Sequence, residues 1–104
     1  MTRVVDVLAN IGMLPHEVCG KTQGYRSGVR PNHFFGDDTF SVIGVMTFES
    51  TEVLDPGMNC TATVRFVWPE SRDAPNVGER WRIQEGGRLV AEGQVVEVLN
   101  DSGL

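Results

Sequence analysis

The sequence predicts an all-β fold, a closed antiparallel barrel, on three observations. Apolar residues recur at every second position along several stretches, the period of a half-buried strand and not of a helix. Firm turn signals, Asp55-Pro56-Gly57 and Gly86-Gly87, separate those stretches. No segment carries a convincing helical stripe. Short strands at even spacing build a sandwich or a barrel, and closure into a barrel removes unpaired strand edges.

Taken in order, Val4 to Leu8 reads as the first strand. Residues 13–29 hold three glycines and Pro15 and read as loop, with room for one short strand. From Phe40 to Phe48, the residues Phe40, Val42, Met46 and Phe48 share a face, with Gly44 marking a bend or bulge. The Asp55-Pro56-Gly57 turn leads to Cys60–Trp68, where Cys60, Ala62, Val64, Phe66 and Trp68 face inward and Thr61, Thr63 and Arg65 outward. Pro69 ends that strand because it cannot donate to a ladder. Residues 69–78 form a polar loop. The strand Glu79–Glu85 points Trp81 and Ile83 inward, and Gly86-Gly87 supplies the two positive φ angles of a type I′ hairpin turn. The returning strand, Arg88 to Leu99, turns Leu89, Ala91, Gly93 and Val95 inward, and Asn100–Leu104 reads as a frayed tail. The expected core is Val64, Phe66, Trp68, Trp81, Ile83, Leu89 and Val95.

Composition narrows the function. The 104 residues suffice for one domain, and 40% apolar with 22% charged residues is ordinary for a globular chain. Nine cations against fourteen anions give a formal charge of -5, which opposes strong autonomous binding to a polyanion. A local basic region remains, Lys21, Arg26 and Arg30 beside Tyr25 and His33, where aromatic rings among cations suit RNA stacking and phosphate contact. No apolar run reaches the roughly 18 residues that span a bilayer. Asp6 interrupts the N-terminal segment early, so a signal peptide is not expected and the expected compartment is the cytoplasm. Cys19 and Cys60 read as reduced thiols, at least one in the core, with pairing left open. With His16 and His33 they are too scattered for a zinc site. His16-Glu17-Val18-Cys19 brings a histidine near a thiol, but no third group orients the pair, so a surface loop is expected. Asp37-Asp38 reads as a turn in preference to a cation site. No nucleophile–base–orienter set is visible, so neither catalysis nor a cofactor is expected.

Four ordered stretches resemble the third, C-terminal β-barrel domain of bacterial elongation factor Tu. They are Gly28-Val29-Arg30-Pro31-Asn32-His33-Phe34-Phe35, Leu54-Asp55-Pro56-Gly57-Met58-Asn59, Trp68-Pro69, and Arg82-Ile83-Gln84-Glu85-Gly86-Gly87-Arg88-Leu89-Val90. The last is close to the family's Ala-Ile-Arg-Glu-Gly-Gly-Arg-Thr-Val. The resemblance covers residues 3–99 and implies a closed six-stranded antiparallel barrel of Greek-key type. It also implies a docking face for tRNA or other structured RNA at Asn32, Glu85 and Gly86, with Arg88 and Arg30 beside them. The chain departs from the family in lacking a GTPase domain, a phosphate loop and a second barrel, so nucleotide binding by this chain is not expected. Gln84 stands where the family has a cation, and the loop before Arg80 is longer. The expected function is a non-catalytic, translation-related RNA- or protein-binding module. The alternative is a protein-interaction or regulatory domain that kept the barrel and lost tRNA binding.

Overall fold

Strict alternation makes β6 (Asn59–Trp68) the clearest strand: Ala62, Val64, Phe66 and Trp68 are buried, and Arg65 and Val67 between them are exposed. The computed structural model describes residues 2–37 and 40–103. Along them the order is β1 (Arg3–Met13), α1 (His16–Cys19), β2 (Tyr25–Arg26), β3 (Asn32–Phe34), β4 (Ser41–Phe48), β5 (Val53–Leu54), then β6, β7 (Arg80–Glu85) and β8 (Arg88–Asp101). Six of these strands close an antiparallel barrel in the order β1-β6-β4-β3-β7-β8, and β8 pairs back onto β1. The strands β3, β4 and β6 pair in succession and β7 returns beside β3, which is a Greek key. A separate two-stranded ladder joins β2 to β5.

The interior is filled by alternate residues of every long strand: Val5, Val7, Ala9, Ile11 and Met13 from β1, Val42, Met46 and Phe48 from β4, Trp81 and Ile83 from β7. One end is aromatic. Phe35 stacks on Trp81 with centroids 5.2 Å apart, and Phe66 and Trp68 meet it edge-on at 5.3 and 4.9 Å. The 69–79 connection closes over this end. It is held by the Trp68 indole, which donates to the Asp73 carbonyl at 3.1 Å, and by the Arg72 guanidinium 3.7 Å above the Phe40 ring. Arg3 donates to the carbonyls of Pro69 and Arg72 and forms a bidentate pair with Asp101 at 3.0 and 2.7 Å.

Several expectations need correction. The first strand runs on to Met13, because Asn10 and Gly12 continue the outward alternation. The segment expected as loop holds a four-residue helix, α1, as well as β2. Gly44 marks no bulge: a Cβ there would stand 2.7 Å from the Phe66 ring and 2.8 Å from the His33 ring, so the glycine makes room for both. Leu89 is half-buried and Val90 takes its inward place, because a bulge between Ile83 and Gln84 skips Val90 in the register. Two more bulges in β8 skip Val96 and Leu99 against β1 and leave both exposed. The tail begins later than expected, since Asn100 and Asp101 pair with Asp6 and Val5. Both cysteines are free thiols, with Cys19 buried. Asp38 and Leu104 lie outside the described residues. No helix among the described residues is long and apolar enough to cross a membrane.

Candidate functional site

The β7–β8 hairpin turns on Gly86 and Gly87, with φ of 55° and 81°, the left-handed pair that a two-residue I′ turn needs. Glu85 faces Arg88 directly across this turn. Asn32 of β3 lies opposite Gln84 of β7. Continuing that antiparallel register back along the chain brings Arg30 level with Gly86. Pro31 has no amide hydrogen to extend the ladder towards β7, while on the other side Val29 still pairs with Met46 of β4. Asn32, Glu85, Gly86, Arg88 and Arg30 thus share one end of the barrel, and all five are exposed.

Side chains from the α1–β2 segment complete this end. The Tyr25 hydroxyl donates to Glu85 Oε2 at 2.5 Å, and Lys21 Nζ donates to Glu85 Oε1 at 3.1 Å. Lys21 Nζ also sits 5.3 Å from the Tyr25 ring centroid. Arg88 Nη1 donates to the Cys19 carbonyl at 3.3 Å, the last residue of α1, where a cation also suits the helix end. Burial raises the Glu85 carboxyl, but the Tyr25 hydroxyl and the Lys21 ammonium outweigh it and hold the group below its ordinary value. Tyr25 moves the other way: burial first, then the Glu85 carboxylate, push its phenol far up, so it stays a donor. Glu85 is therefore an ionised clamp that fixes the hairpin to the preceding loop. Lys21 pairs with it and Arg88 stands opposite it across the turn.

The structure removes His33 from the basic region. Its ring is fully buried, with neutral contacts from β4, β6 and β7. Trp81 Nε1 donates to His33 Nδ1 at 2.9 Å, so Nδ1 must be the unprotonated nitrogen, and Nε2 donates to the Gly44 carbonyl at 3.1 Å. Nothing in the local sequence marks this histidine as core, because its Trp81 partner lies 48 positions away. The surface loop expected at His16–Cys19 is the helix α1, and its histidine and thiol turn to different partners. Cys19 is buried and donates to the Leu14 carbonyl at 3.3 Å, while His16 Nδ1 engages the Lys21 carbonyl at 2.8 Å. Among the described residues no group of three or more His, Cys, Asp or Glu is placed to hold a metal ion.

Tyr25 and Lys21 are the site residues that sequence reasoning missed as partners of Glu85. The only signal was the Lys-aromatic-Arg composition of residues 21–30. No model of a known protein family matches this chain.

Proposed function

We propose that this chain is a non-catalytic binding module that docks structured RNA on the hairpin end of the barrel. The observation that supports this reading is convergence. Asn32, Glu85, Gly86, Arg88 and Arg30 come from two separate segments of the sequence and form one exposed surface, with Lys21 added from a third. Glycines at the turn let backbone amides come close to phosphate and ribose, and arginines supply charge. Such contacts read the shape of a duplex and not its sequence. The formal charge of -5 makes approach to a polyanion costly, so binding should be weak and strongly salt-sensitive.

The test is titration of labelled tRNA at low salt against the native chain and two variants, Arg88→Glu and Arg30→Glu. Both variants should abolish binding with the β-sheet circular dichroism unchanged. Tight binding that ignores both substitutions would place the RNA on another face. The second reading, a barrel that serves a protein partner, draws on Ile43, Val67, Val96 and Leu99, which stand 57, 48, 42 and 47% exposed on the barrel exterior. Absence of tRNA binding even at low salt would favour it.

A further inference from the structure

A second site lies on the barrel wall, away from the hairpin turn and independent of the RNA reading. Where β1 runs between β6 and β8, Ile11 and Met13 point into the core, and Asn10 and Gly12 point out. The register aligns two outward rungs. One runs Arg80, Gln94, Asn10, Thr61 across β7, β8, β1 and β6. The other runs Arg82, Glu92, Gly12, Asn59. Gly12 contributes no side chain, and the Asn59 carboxamide lies over it, its Oδ1 2.4 Å from where a Cβ would stand. The resulting groove has a volume of about 370 Å³ and is lined also by Leu14 and Pro15. That size lies within the roughly 300–1,000 Å³ of small-molecule sites.

The chemistry of the lining selects a ligand class. Three primary amides, Asn10, Asn59 and Gln94, face the groove. Each offers a carbonyl acceptor and an amide donor side by side, a match for two adjacent hydroxyls on a ring. Among the described residues the side chains of Asn10 and Arg80 carry no hydrogen bond or ion pair, and the Asn59 carboxamide packs on Gly12. Gln94 uses only Nε2, which donates to the Gly78 carbonyl at 3.3 Å and leaves its oxygen as an acceptor. Arg80 and Glu92 balance in charge, so the groove itself is close to neutral. A polyanion gains little there, and the net charge of the chain opposes it. An added peptide strand needs a free sheet edge, and the closed barrel offers none here. No aromatic side chain lines the groove, so a flat apolar ligand finds no platform. The geometry points to a binding site for an uncharged, hydroxyl-rich ligand, a neutral oligosaccharide, held by Asn10, Asn59 and Gln94 in the groove beside Gly12.

The test is a titration of the ¹⁵N-labelled full chain with maltohexaose, cellotetraose and chitotetraose, each taken to on the order of 10 mM. At least one should produce saturable shifts in the side-chain amide signals of Asn10, Asn59 and Gln94 and in the backbone amides of Gly12 and Gly93. Asn10→Ala should weaken that binding about tenfold, the worth of one well-made hydrogen bond. Gly12→Ala should do the same by displacing the Asn59 carboxamide: its Cβ would stand 2.4 Å from Asn59 Oδ1, the end of an exposed side chain that can swing aside. Should Gly12→Ala disturb the spectrum as a whole, Asn59→Ala removes the same carboxamide from an exposed position. Absence of saturable shifts with all three sugars, or shifts confined to other faces, would overturn the assignment. So would perturbation of these amides by oligouridylate and by none of the sugars. Hairpin variants such as Arg88→Glu should leave sugar binding intact, which separates failure of this site from failure of the RNA reading.

Discussion

His33 shows what burial does to one residue. Burial, opposed only by the hydrogen bond to the Gly44 carbonyl, lowers its pKa from 6.5 to about 4. Between those values the unfolded chain takes up a proton that the folded chain refuses. Stability is therefore complete above about pH 6.5, falls as the pH drops towards 4 and levels off below it, a loss of about 3 kcal/mol. Protonation would also set two N–H donors against each other at the Trp81 bond. Urea unfolding between pH 7 and pH 4 should show this slope, and His33→Gln should remove it. Glu85 and Asp101 are held below their ordinary values, Asp101 first by Arg3, so their contributions start to fall only as the pH nears 4.5, and the slope between about pH 6.5 and 5 belongs to the histidine. Gly93 carries a steric constraint of the same kind. A Cβ there would lie 2.4 Å from the Trp81 ring, so Gly93→Ala should destabilise by roughly 1–3 kcal/mol. A Tm shift too small to measure would show that the indole can move.

At the scale of elements, the sequence was legible wherever alternation is regular. β4, β6 and β7 follow period two with a single inward face and were placed to within a residue of their ends. The Gly86-Gly87 turn was legible because positive φ at two successive positions all but demands glycine. β8 was only partly legible: its bulges set pairs such as Val90-Ala91 side by side facing inward, and periodicity alone reads that as a phase error. β3 and the β2–β5 ladder have two or three residues each, too few for any period, and only the partners across the sheet define them. The same holds for the site. The hairpin is local and readable, whereas Tyr25 and Lys21 reach Glu85 from 60 and 64 positions away. The 69–79 connection depends on Arg3 in a similar long-range way. Arg3→Ala removes its bonds to the Pro69 and Arg72 carbonyls and to Asp101. Hydrogen exchange in that connection and at residues 101–103 should then rise, with the amides of β4 and β6 unaffected. Equal acceleration throughout the barrel would mean that Arg3 supports the whole fold and not this loop.

For the whole molecule, the sequence supplies no phosphate loop, so calorimetry with GTP should show no binding at micromolar concentrations of nucleotide. Micromolar affinity would overturn that expectation. The pairing of β1 with β8 sets how the barrel can be assembled in time. β1 has one neighbour in β6 and the other in the last strand of the sheet, so its second edge stays unsatisfied until β8 zips onto it. Few partial structures are self-sufficient under that constraint, and the β1–β6, β1–β8 and β3–β7 ladders join distant segments. Refolding should therefore be a single cooperative step on the millisecond-to-second scale typical of non-local β topologies. Stopped-flow tryptophan fluorescence of Trp68 and Trp81, both buried at the aromatic end, reads that step directly. A chain interrupted before β8 would hold an open seam, and its fate before closure is a contest between zipping and association with another unfinished copy.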